Sequence, residues 1–215
     1  MSQQVNTLII GQGICGSFLS LELEAAGVSH LVIDEARPFA ASGIAAGLIN
    51  PVTGRRLVTT WMIDELLASA REAYGRLSGV LGRPFLTETS VTDFFPSAQM
   101  RLAFLDRLAE DASWLQLPAD EARWKDCFYY ELGYGVISPC YLVDMQGLLA
   151  AARQRMVGMG ILLEQRFERG IWRFFLTMCG MGISGRKGWF FVMGSGVVIA
   201  PGFPGCRSRR IRGRC

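Results

Sequence analysis

The chain has 215 residues, half of them apolar, enough to bury a substantial core in one large domain or two small ones. The formal net charge of +3 is unevenly placed: residues 1–168 carry all 19 Asp and Glu against 13 Lys and Arg, a net −6, whereas residues 169–215 carry nine Lys and Arg and no acid. Six scattered cysteines without a CxxC pair, and a single histidine, give no zinc-ligand spacing; with no basic, apolar leader at the N-terminus, they predict a cytoplasmic protein with reduced thiols.

Residues 5–10 form a short apolar run, the length of a buried parallel strand. Gly11, Gly13 and Gly16 follow as G-x-G-x-x-G. Ile14, Phe18, Leu21 and Ala25 then repeat at helical spacing, and Gly27 is placed to end that helix. A second apolar strand over residues 30–33 runs into Asp34 and Glu35. His30 reads as an ordinary strand-start residue. The order fits dinucleotide chemistry. The first glycine permits a tight turn, the second lets the backbone approach a pyrophosphate, and the third lets helix and strand pack closely. The N–H groups at the helix start, Ile14 and Cys15 among them, face that pyrophosphate. Asp34, 23 residues after Gly11, can accept from ribose hydroxyls, with Glu35 as the second candidate.

Residues 36–56, "ARPFAASGIAAGLINPVTGRR", read as a long small-residue loop. With "AAS" at 40–42 and "AAGLINP" at 45–51, residues 4–168 resemble the FAD-dependent oxidoreductases of the D-amino-acid oxidase, glycine oxidase and sarcosine oxidase superfamily. The resemblance implies Ser42 near the pyrophosphate and Ala46, Gly47 and Leu48 near the isoalloxazine ring. It implies FAD as cofactor and an amine or amino acid as the small-molecule substrate, whose C–N bond is oxidised. Asp34 departs from the family, which more often has Glu there. Arg55, Arg56, Tyr130 and Tyr134 are types that hold substrate carboxylates, but no motif assigns them, and surface placement is expected of each. No catalytic residue is assigned.

Further along, Ile63, Leu66, Ala70, Tyr74 and Leu77 predict one helix and Ala98, Leu102, Leu105 and Ala109 another, with extended structure over 85–95 between them. Asp144 is placed to cap a third helix that buries Met145, Leu148, Ala152 and Met156. Gly158 and Gly160 turn that helix into a strand over 161–165. The predicted fold is therefore α/β: a Rossmann-like FAD-binding domain with a parallel sheet and flanking helices, incomplete, plus part of a second, substrate domain. Residues 1–60 and 141–168 are assigned to the FAD domain, 61–140 to the substrate domain, and 169–215 to an aberrant tail of low order.

That tail contains 19 uncharged residues, 188–206, but five glycines and two prolines among them argue against a membrane span. The basic end "RSRRIRGR" has no other nucleic-acid feature to serve, so no specific nucleic-acid partner is expected. A reading-frame shift near the codons for residues 165–172 accounts for the missing acids and the excess Gly and Arg. Read from the third base of each codon, Trp189–Phe190 must give Val and Met193–Gly194 must give Gly, and the shifted text permits V-L-C-D-G, a strand ending in an acid and a turn. Resequencing those codons tests the shift, which fails if this frame is confirmed and shared by related genes. The expected product is a truncated flavoenzyme; the alternatives are a non-catalytic nucleotide-binding remnant and an NAD-dependent dehydrogenase.

Overall fold

The computed structural model describes residues 5–167 and, beyond them, the backbone of two short strands, 190–193 and 196–199. The low order expected of the tail and the strand hidden in the shifted frame lie outside the described residues. The chain divides into two compact units, one of Met1–Ala45 with Met145–Cys215 and the other of Ala46–Asp144. The sequence-based boundaries, after residues 60 and 140, fall elsewhere. The reason is pairing: residues 48–49 pair with 141–142, residues 52–53 and 58–59 pair as a hairpin, and the long last strand of the second unit continues to Val143.

In the first unit, β1 (Thr7–Ile10) and β2 (His30–Asp34) are parallel, with Thr7 opposite His30 and Ile10 opposite Ile33. Both strands are buried on both faces apart from Asp34, as parallel strands covered by helices should be. They are joined by α1 (Ile14–Ala25). Its buried residues are Gly16, Ser17 and Ser20, whereas Ile14, Phe18 and Leu21 are half-buried and Ala25 is exposed. Small side chains let this helix approach the sheet closely. A Cβ on Gly16 would lie 2.0 Å from the Gly11 carbonyl oxygen. Gly27, at φ +66°, closes the helix: its N–H donates to Glu24 O and that of Val28 to Leu23 O, satisfying two terminal carbonyls. His30 is buried and fully bonded, with Val28 O accepting from Nδ1 (3.0 Å) and Ser20 Oγ lying 2.7 Å from Nε2. The expected loop contains one short helix, α2 (Ala41–Ile44).

The second unit begins with β3 (Leu48–Ile49) and the hairpin of β4 (Val52–Thr53) and β5 (Val58–Thr59). Helix α3 (Ile63–Leu81), β6 (Leu86–Phe94), α4 (Ala98–Glu110), β7 (Leu115–Gln116) and β8 (Tyr134–Val143) follow. All sheet pairs are antiparallel: β6 runs along one side of β8, and β3 and β7 share the other. Two predicted helix faces are corrected. In α3, Leu67 is buried in place of Leu66. In α4, Phe104 is buried while Leu102 is 59% exposed. The Phe104 ring occupies the space left by Gly135 on β8, where a Cβ would lie 2.1 Å from its Cζ. The core here joins Val52, Leu57, Phe95, Phe104, Leu115, Ile137 and Cys140.

The chain returns to the first unit as α5 (Met145–Gly158), burying Met145, Leu148, Ala152 and Met156, the four expected residues. Asp144, before it, pairs with Arg83 at 2.8 Å. Gly160, at φ +68°, turns the chain into β9 (Leu162–Glu164), which lies parallel to β2 with Val32 opposite Leu162. The sheet order β1-β2-β9 with its helices is the α/β arrangement expected from the sequence. Finally, β10 (Phe190–Met193) and β11 (Gly196–Ile199) form an antiparallel pair.

Candidate functional site

The C-terminal ends of β1 and β2 and the start of α1 border a cavity of about 550 Å3, within the first unit. That is a usual size for a small-molecule site, and the ends of parallel strands are its usual place. Gly11, at φ +96°, turns the chain out of β1, with its N–H on Ile33 O at 2.8 Å. Gly13 is the N-cap of α1 and offers no side chain to the first-turn N–H groups. A Cβ there would stand 3.0 Å from Ser42 Oγ, so the glycine leaves a cradle that an alanine would fill. Ser42 Oγ accepts the Ile14 N–H at 3.1 Å, fixing the α2 turn against the loop. No acidic residue occupies the first turn of α1, so its positive end is not neutralised locally.

Asp34, at the end of β2, is the most heavily bonded acid in the cavity. Oδ2 accepts from Gln12 N at 2.9 Å, and Oδ1 accepts from Ala36 N at 2.8 Å and from Arg153 Nη1 at 2.9 Å. Burial pushes this carboxyl upward, but the two backbone N–H groups and the Arg153 guanidinium outweigh it and hold it below its ordinary value. Arg153 Nη1 also donates to Gln12 Oε1 at 3.1 Å, and Nε donates to Glu164 Oε1 at 3.1 Å. Gln12 completes the link, donating from Nε2 to Ser17 Oγ at 2.9 Å and to Leu149 O at 3.0 Å. The glycine loop, β2 and α5 are thus tied together by one part-buried polar chain.

Of the residues singled out from sequence, Gly11, Gly13, Asp34, Glu35 and Ser42 line the cavity. Ile14 does not line it; its N–H is taken by Ser42 Oγ. Gly16 lies beneath the loop against Gly11, and Cys15 is exposed. Glu35 pairs with Arg37. Ala46, Gly47 and Leu48 belong to the second unit, where Gly47 has φ +73° and Leu48 pairs with Leu142. Arg55 and Arg56 are exposed, as expected; Tyr134 is instead buried, its hydroxyl donating to Asp120 O at 2.7 Å. Tyr130 is half-buried and donates to Glu121 O.

Sequence reasoning missed Gln12, Arg153 and Arg166, all of which reach the cavity. Gln12 was hidden in an "x" of the glycine motif. Arg153 follows the buried Ala152 on α5, and that position on the flank of the apolar face was the one available signal. Among the described residues, no group of three potential ligands could hold a metal ion, and no helix is long and apolar enough to cross a membrane.

No family model matches the chain, and no curated protein matches it. Solved structures do. Glycine oxidase from Geobacillus kaustophilus superposes with a TM-score of 0.60 at 16% identity, over 75% of this chain and 46% of that one. Glycine oxidase from Bacillus cereus gives 0.59 at 20%, over 77% and 49%. L-amino acid deaminase from Proteus vulgaris gives 0.54 at 11%, over 75% and 40%. The chain therefore spans less than half the length of each of these enzymes. Over the matched residues it has the fold that glycine oxidase and L-amino acid deaminase share.

Proposed function

We propose that the chain binds FAD at the cavity beside α1 and is part of an FAD-dependent oxidoreductase acting on the C–N bond of a small amine or amino acid. The observation that carries this reading is the convergence on one cavity of the glycine loop, Asp34, Ser42 and a start of α1 that has no acid in its first turn and no side chain at its N-cap. The residues fit the cofactor's adenosine diphosphate half. The side-chain-free approach at Gly13 admits a diphosphate to the backbone, and the helix start favours its negative charge. Asp34 is ionised at neutral pH and stands at the end of β2, where an acid suits a ribose hydroxyl. Bound FAD would supply the electron acceptor for oxidising the amine to an imine, which water hydrolyses to a carbonyl compound. The names of the fold's neighbours, glycine oxidase and L-amino acid deaminase, support this substrate class. The roles of Ala46, Gly47 and Leu48 beside the ring rest on the sequence resemblance.

The test is direct. The purified full chain is titrated with FAD, and the flavin absorbance retained after desalting is measured. A yellow protein is expected, and loss of retained flavin in Gly13→Asp locates the binding. A colourless protein that ignores FAD overturns the reading, and binding of nicotinamide dinucleotide alone points to a dehydrogenase instead.

A further inference from the structure

The carboxylate of Asp34 has about four lone-pair sites when ionised. Among the described residues three are occupied: one on Oδ2 by Gln12 N, and two on Oδ1 by Ala36 N and Arg153 Nη1. A longer side chain at this position could swing free of its own loop, but Asp34 is short and anchored from three directions. The anchor from α5 is itself held. Arg153 Nη1 is shared with Gln12 Oε1, and Nε and Nη2 lie 3.1 and 3.0 Å from Glu164 Oε1. Nη2 lacks a well-angled hydrogen bond to that oxygen, so it contributes to the pair as charge. The side chains of Arg153 and Asp34 are each only about one-fifth exposed, so water competes weakly for the bonds between them.

We infer that Arg153 is a positioning residue that limits Asp34 to one ribose hydroxyl: with Oδ1 saturated, a single acceptor site on Oδ2 remains for the adenosine ribose. This rests on an adenosine nucleotide occupying the cavity. It makes Arg153 a determinant of how the sugar is read, in a part of the sequence 119 residues from its partner. A carboxylate free of such a bond can take both vicinal hydroxyls of a ribose; this one cannot.

Calorimetric titration of the full chain with ADP, 2′-deoxy-ADP and 3′-deoxy-ADP reads the hydroxyl count without any reaction. Only one of the two deoxy analogues should bind more weakly than ADP, by about tenfold or more, the strength of a hydrogen bond to a charged group. In Arg153→Met, Oδ1 regains a site and both analogues should weaken relative to ADP. Arg153→Lys, which keeps a cation on Oδ1, should restore the one-hydroxyl pattern. The inference is overturned if both analogues, or neither, weaken in the parent chain. It is equally overturned if Arg153→Met weakens all three nucleotides alike, which is what a merely structural arginine would do. The parent series needs no variant and stands even if Arg153→Met does not fold. A chain that holds FAD but shows two-hydroxyl reading loses this inference and keeps the proposed function. One-hydroxyl reading of ADP without FAD binding does the reverse, and a chain that binds neither loses both.

Discussion

Gly16 shows how a single atom can decide the local structure. A Cβ there would meet the Gly11 carbonyl oxygen at 2.0 Å, a backbone atom that cannot rotate away. Gly16→Ala must therefore push α1 off the loop, and overpacking of this kind costs about 1–3 kcal/mol. We expect a fall in urea midpoint together with loss of FAD binding; an alanine variant with parental stability would mean that the helix can lift freely. Asp34 is decisive in a different way, through charge. Its folded carboxyl lies below the ordinary value of 3.8, so its contribution is fully present above that value and is lost as pH falls through the lower, folded one. Stability curves from pH 6 to pH 3 should fall more steeply below about pH 4 for the parent than for Asp34→Asn, which has no proton to take up. Parallel curves would show that the bonds from Gln12, Ala36 and Arg153 do not favour the ionised form.

Elements whose logic is local were legible in the sequence. The β1–α1–β2 unit could be read because strand, glycine turn, helix and Gly27 stop are consecutive, and α5 because its four buried residues follow one helical stripe. Helix α4 was misread for a physical reason. Its apolar residues lie on more than one face, and the face that is buried depends on a gap at Gly135, far away in the chain. The polar chain Gln12–Arg153–Asp34 escaped for the same cause, since nothing in the local pattern pairs residues 12 and 34 with 153. The corrected face of α4 is open to test by three substitutions. Phe104→Ala should cost about 3–5 kcal/mol. Leu102→Ala, at an exposed site, should stay within about 0.5 kcal/mol. Ser97→Ala should cost about 1 kcal/mol, because Ser97 Oγ accepts the Met100 N–H at the helix start. Thermal and urea unfolding give all three values, and a larger loss at Leu102 than at Phe104 would reverse the assignment.

At the scale of the molecule, the first unit is interrupted. Its strands β2 and β9 are neighbours in one sheet, yet 99 residues forming the second unit stand between Ala45 and Met145. Such an insertion is tolerated when its two ends emerge close together. The second unit meets that condition by its own pairing: Leu48, near its start, is opposite Leu142, near its end. It also has what a domain needs to fold alone. The antiparallel β3-β8-β6 sheet is completed within the segment, and among the described residues the cluster around Phe104, Leu115, Ile137 and Cys140 is built from this segment. Its edges were not legible in the sequence, because short strands such as β3 and β4 carry almost no periodicity and look like the small-residue loop that precedes them. The consequence is measurable. Residues 46–144, expressed alone, should give a mixed helix and strand circular-dichroism spectrum and unfold in a single cooperative urea transition. Phe104→Ala should lower the midpoint in the fragment as it does in the full chain. A fragment that unfolds without a transition would mean that its sheet depends on the first unit for stability, and the inserted segment would then be a region of one domain rather than a domain in its own right.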